Sequence, residues 1–162
     1  MDMQMTIQTD QVESLIPLAK DHFKNFKRVL VVDDDVEMAM LMTRQLRIEN
    51  CRVEYCMDGY DALENLVNHQ YDLIFMDWSL PGLNGGEVLK KIDESINRDP
   101  LIGEKWGVLK RPVVMVSAYE YEKLQLPFVE NFKVVDFWEK KMGPAALKSH
   151  IHDILNRSFY II

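Results

Sequence analysis

The chain has 162 residues, 48% hydrophobic and 28% charged, with a formal net charge of −7. That is about one domain's length in an ordinary globular composition, and no apolar run is long enough to cross a bilayer. The acidic balance leaves no basic patch, which argues against unaided binding to nucleic acid or an anionic membrane and points to proteins or small molecules as partners.

The opening residues, MDMQMTIQTDQ, lack the basic start and apolar stretch of a signal peptide, so a cytoplasmic location is expected. Val12, Leu15, Ile16, Ala19, Phe23 and Phe26 recur at helical spacing, with Pro17 tolerable only near a helix start. Residues 1–27 therefore read as an N-terminal helical extension that packs on the domain or on a second copy. From Arg28 onward, five short β-rich runs alternate with helical patterns, which predicts a parallel α/β domain over 28–162. The runs are 29–32, 53–56, 73–76, 113–116 and 134–138, and several are continuously apolar, as strands covered on both faces should be.

The helical stripes follow in order. Met38, Leu41, Met42 and Leu46 form the first, Ala62, Leu63, Leu66 and Val67 the second, and Val88, Leu89, Ile92 and Ile96 the third. Asp58-Gly59 supplies a cap for the second, and Asn84 with Glu87 resembles a capping box for the third. Residues 98–110 read as a long inserted loop before strand 4, folded back on the domain through Trp106, Val108 and Leu109. A fourth helix over 119–128 is expected to be short, kinked or restarted, because Pro127 interrupts it. Gly143-Pro144 opens the last helix, with Leu147, Ile151, Ile154 and Leu155 on its inner face. The tail, 158–162, is apolar for a terminus and is expected to pack on the N-terminal helix or a second subunit, a homodimer being one outcome. Cys51 and Cys56 match no metal or redox spacing and read as reduced, partly buried thiols.

In a doubly wound parallel sheet, ligands bind beyond the carboxyl ends of the strands, where the strand order reverses. Asp33, Asp34 and Asp35 stand at such an end, and so do Asp77, Ser117 and Lys140. Crowded carboxylates raise one another's pKa unless a cation sits among them, and Mg²⁺, a hard ion held by one or two carboxylates plus a phosphate, suits the set. Helix capping explains one of the three aspartates. It does not bring Asp77, Ser117 and Lys140 to the same edge.

These residues resemble the receiver domains of bacterial two-component response regulators, over roughly 28–156. Five spaced motifs carry the resemblance: ValValAspAspAsp ending at Asp35, AspGlyTyrAspAlaLeu from Asp58, AspTrpSerLeuProGlyLeuAsnGly from Asp77, ValSerAla around Ser117, and AspPheTrpGluLys ending at Lys140. The resemblance implies a flavodoxin-like fold, a five-stranded sheet of order 2-1-3-4-5 with five helices. It implies Asp77 as phosphoacceptor, with Mg²⁺ held by Asp33, Asp34, Asp77 and the main-chain carbonyl of Ser79. Ser117 would bond a phosphoryl oxygen, Lys140 would pair with the acceptor or its phosphoryl group, and Phe137 falls at the aromatic switch position. Asp35 takes no ligand role and reads as a loop or capping residue. Lys141 stands where the family usually has proline, and Phe137 lacks a tyrosine hydroxyl, so a switch would work by packing alone.

The expected phosphodonor is a sensor histidine kinase or histidine phosphotransfer protein. The chain ends soon after the fifth helix, so the expectation is a single-domain regulator that contacts a downstream target protein or relays the phosphoryl group. It would assist its own phosphorylation and dephosphorylation without being a turnover enzyme. A haloacid-dehalogenase-like phosphatase would instead use Asp33 as nucleophile with Asp35, but it needs an acidic pair after Lys140 that the sequence lacks. A receiver-fold binding module indifferent to phosphate is the other alternative, and unchanged partner affinity on phosphorylation would favour it.

Overall fold

The computed structural model describes residues 27–106, 110–120 and 125–157. The predicted N-terminal helix, save Lys27, and the apolar tail lie outside the described residues. In chain order the elements are β1 (Arg28–Val32), α1 (Val36–Ile48), β2 (Arg52–Cys56), α2 (Gly59–Asn68), β3 (Leu73–Asp77), α3 (Gly85–Arg98), α4 (Pro100–Trp106), β4 (Arg111–Ser117), β5 (Phe132–Glu139) and α5 (Pro144–Asn156). The strands pair in parallel in the order β2-β1-β3-β4-β5.

The continuous apolar runs become the three central strands, each flanked on both faces. Val29, Val31, Phe75, Val114 and Val116 face α1 and α5, where Met42, Leu46, Leu147, Ile151 and Ile154 close one core layer. Leu30, Val32, Ile74, Met76 and Met115 face α2, α3 and α4, which contribute Leu66, Leu89, Ile92 and Trp106 to the other. Each such fully buried aliphatic side chain is worth about 1.5–3 kcal/mol relative to exposure. The helix starts form as their sequences direct. Asp35 accepts from the Glu37 and Met38 amides and caps α1, Asp58 accepts from those of Tyr60 and Asp61 and caps α2, and Asn84 and Glu87 close a reciprocal capping box on α3.

The region around β4 departs from expectation. Within 98–110 the chain folds into α4, whose Trp106 is buried edge-on against Phe132 at 5.3 Å between ring centroids. Pro100 fixes a helical φ at its first position, and Asp99 Oδ1 accepts from the Leu101 amide at 2.9 Å. Seven residues make too short a helix to leave a periodic stripe. Between β4 and β5, by contrast, residues 118–120 and 125–131 form no helix, and 121–124 lie outside the described residues. The buried Asp93 carboxylate on α3 holds this connection, accepting from the Glu130 amide at 3.0 Å, the Asn131 amide at 2.7 Å and Asn131 Nδ2 at 2.9 Å. Five helices are present among the described residues, but the fourth precedes β4.

β5 pairs with β4 through an irregularity at Val113/Val114, where register passes from Val134 to Asp136. The extra residue lets Val134 and Phe137 both face the α2–α3–α4 layer although they are three apart.

Candidate phosphoacceptor site

Strand ends bring the predicted residues to one edge. Asp33 follows β1, Asp77 and Ser117 are the last residues of β3 and β4, and Lys140 follows β5. Because the order reverses between β1 and β3, Asp33 and Asp77 flank the crevice where this class of sheet binds ligands. Asp33, Asp77 and Ser117 are buried, and Asp34 is exposed at the rim.

Lys140 joins the two buried carboxylates. Its Nζ lies 2.7 Å from Asp33 Oδ1 and 2.7 Å from Asp77 Oδ2, while its main-chain amide donates to the Ser117 carbonyl at 2.8 Å. The Asp35 amide donates to Asp33 Oδ1 at 2.9 Å, and the Ser79 amide donates to Asp77 Oδ1 at 3.0 Å. Ser117 Oγ accepts from the Tyr119 amide at 2.9 Å, which leaves the hydroxyl hydrogen free to donate. Phe137 is half-buried on β5 opposite Met115, against the core rather than among the carboxylates.

One ammonium does not balance this set. Burial pushes the Asp33 carboxyl above the usual carboxylate range, although Lys140 and the Asp35 amide pull the other way. Burial also works to lower the Lys140 pKa, but its hydrogen bonds to Asp33 and Asp77 outweigh this and hold the ammonium above its ordinary value. Asp33 Oδ2 is buried with no hydrogen-bond partner. Carboxylate oxygens of Asp33, Asp34 and Asp77 fall within 4.8 Å of one another. Three carboxylates, one of them carrying an orphaned buried oxygen, fit Mg²⁺.

The turn after β3 makes the approach possible. The Trp78 amide donates to the Val116 carbonyl at 2.8 Å, and Gly85 donates back to the Trp78 carbonyl at 3.0 Å. A Cβ on Gly85 would lie 2.3 Å from the Asp77 carbonyl oxygen, so only glycine lets α3 begin this close to the site. The only local signal for this role in the sequence is the Gly85-Gly86 pair directly after a helix cap.

A model of the response regulator receiver domain matches residues 29–152. The chain belongs to the response regulator receiver family. Receiver domains are signalling phosphoacceptor domains that bind Mg²⁺ at an acidic site, and the Asp33, Asp34 and Asp77 pocket is compatible with that. The response regulator ArlR of Staphylococcus aureus (strain NCTC 8325 / PS 47) is 38% identical over 65 residues, 40% of this chain but only 30% of that protein. Two solved structures share the fold at lower identity. A CheY-like receiver domain protein from Methanospirillum hungatei JF-1 superposes with a TM-score of 0.58 at 23% identity, covering 81% of this chain and 94% of that one. TrrA from Thermotoga maritima, in complex with Mg²⁺-BeF, gives 0.58 at 23% identity over 80% and 99%. This receiver therefore has the flavodoxin-like order 2-1-3-4-5 that its motifs imply.

Proposed function

We propose that Asp77 is the phosphoacceptor and that the chain takes a phosphoryl group from a phosphohistidine on a sensor kinase or phosphotransfer protein. The observation that carries this reading is Lys140 Nζ at 2.7 Å from Asp77 Oδ2, beside a second buried carboxylate with an unsatisfied oxygen. A carboxylate oxygen of Asp77 attacks phosphorus, the P–N bond to the donor imidazole breaks, and the imidazole leaves with its electron pair and is protonated. Asp33, Asp34, Asp77 and the Ser79 carbonyl would hold Mg²⁺, which when bound would neutralise charge on the phosphoryl oxygens. Lys140 and the Ser117 hydroxyl add two donors aimed at the same oxygens. Loss of phosphate reverses the bookkeeping: water attacks phosphorus and the Asp77 carboxylate leaves.

The new charge and acceptor oxygens then draw Ser117 toward the phosphoryl group. Phe137, on the strand next to Ser117, repacks by shape alone and carries the change to the surface near β5 and α5. The output in this reading is a phosphorylation-dependent contact with a target protein, or onward relay, in the cytoplasm. The net charge of −7 supports protein partners over nucleic acid or an anionic membrane, and no described helix is long and apolar enough to cross a membrane.

The test is transfer of labelled phosphate from a panel of autophosphorylated histidine kinases to the full chain, beside Asp77→Asn. Label that reaches the wild type and spares the variant is the expected result. Equal labelling of both would move the acceptor to another residue and sink the assignment.

A further inference from the structure

Five of the nine exposed large hydrophobic side chains among the described residues crowd into one place. Val36, Met40 and Ile48 of α1, with Tyr55 and Met57 at β2, are 41% to 66% exposed and line a single groove of about 690 Å³. The other four, Tyr60, Leu101, Tyr119 and Phe128, lie elsewhere, as isolated surface apolar residues commonly do. The groove runs the length of α1 along the edge strand. Its charged lining is Arg44 and Arg47, with no acidic residue.

The chain itself supplies a segment of matching chemistry. Residues 1–19 carry Asp2, Asp10 and Glu13 and no lysine or arginine, together with Val12, Leu15, Ile16 and Ala19 at helical spacing. The chain enters β1 at the correct edge. Lys27 accepts through its carbonyl from the Arg52 amide at 2.9 Å, and Arg52 opens the strand that walls the groove. Residues 20–26, if extended, span up to about 23 Å, and α1 with its 13 residues is about 20 Å long. Val12 to Ala19 therefore reach any point along the groove.

We propose that the segment preceding β1 packs into the α1–β2 groove through Val12, Leu15 and Ile16, with its acidic residues toward Arg44 and Arg47. The apolar tail 158–162 matches less well. α5 also ends beside Lys27, whose Nζ donates to the Leu155 carbonyl, but the tail's five residues carry no acidic side chain to meet Arg44 and Arg47. A second copy competes poorly with a tethered segment, whose effective concentration is on the order of millimolar. The upper end of the groove, Val36 and Met57, adjoins Asp35 and the Cys56 carbonyl that accepts from the Asp33 amide. A segment seated there borders the mouth of the carboxylate site.

Hydrogen exchange read by mass spectrometry on the full chain tests this, with sedimentation in the same buffers. The comparison is wild type against Met40→Asp in the groove, Leu15→Asp in the segment, and the double variant Arg44→Glu, Arg47→Glu. We expect amides of residues 10–19 to exchange at least about tenfold more slowly than an unprotected chain in the wild type. That protection disappears in both Asp variants and weakens in the charge-reversed one, while β3 stays protected throughout, showing the fold intact. Unprotected rates in the wild type would overturn the proposal, and so would protection that survives Met40→Asp. Protection that grows with concentration alongside a dimer would assign the groove to a second copy instead. Loss confined to 158–162 in Met40→Asp would assign it to the tail.

Discussion

Asp33, Asp34 and Asp35 are neighbours in sequence and take three different positions in space. Asp33 turns inward to Lys140, Asp34 stays at the rim, and Asp35 caps α1 through the Glu37 and Met38 amides. The carboxylate cluster was legible from the sequence because each member stands at a strand end. The lysine's bridging of both buried acids was not, since nothing in the spacing says which oxygens a five-bond side chain will reach. That bridge has a measurable consequence. Lys140→Met leaves two buried carboxylates facing one another, and breaking such a pair costs several kcal/mol when the charge stays buried. At this partly open edge we expect about 2 kcal/mol of lost stability without Mg²⁺ in urea unfolding near neutral pH, largely recovered at saturating Mg²⁺. An unchanged midpoint without Mg²⁺, or a deficit that Mg²⁺ leaves untouched, would contradict the charge-balance account.

At the level of elements, what could be read followed length and periodicity. α3 announced itself with a capping box and four buried residues at 88, 89, 92 and 96, and the strands with their apolar runs. α4 has only seven residues and one deeply buried side chain, and the β4–β5 connection is held by side-chain bonds from Asp93 that no local pattern encodes. The β5 irregularity breaks the period-two rule that would sort Val134 and Phe137 onto opposite faces. Gly85 shows the same limit from the other side, because its value lies in a contact with β3. A Cβ there meets the Asp77 carbonyl at 2.3 Å, so Gly85→Ala is expected to cost about 2 kcal/mol through overpacking and to displace the acid. Both effects should appear, as a lower unfolding midpoint and slower phosphorylation at saturating donor. A variant as stable and as quickly phosphorylated as the wild type would show that α3 can retreat freely.

For the molecule as a whole, the sheet does two jobs. Its carboxyl edge collects Asp33, Asp77, Ser117 and Lys140, and its opposite end is tied by a polar network in which Arg28 and Tyr71 both donate to Glu54. Arg28 Nη2 lies 2.8 Å from Glu54 Oε1, and the Tyr71 hydroxyl 2.7 Å from Oε2. Partial burial opposes the charge on Glu54, but the hydrogen bonds from Tyr71 and Arg28 outweigh it and hold its carboxyl below the ordinary value. A carboxylate depressed in the folded state contributes stability above its unfolded pKa and loses it as pH falls through the folded value. The wild type should therefore lose more stability than Glu54→Gln between about pH 5 and pH 3, measured by thermal unfolding. Parallel losses in the two proteins would remove Glu54 from the acid response. The two cysteine thiols take no part in either job. Burial pushes Cys51 up to about 11 and Cys56 up to about 12, which keeps both as unreactive thiols at neutral pH.

The central claim is that Asp77 takes a phosphoryl group with the help of Mg²⁺ and Lys140. Intact mass after incubation with acetyl phosphate, with and without Mg²⁺ and beside Asp77→Asn, tests it most directly. The account predicts a single phosphoryl adduct on the wild type that requires Mg²⁺ and is absent from the variant. An adduct of equal yield on Asp77→Asn, or one indifferent to Mg²⁺, would contradict it.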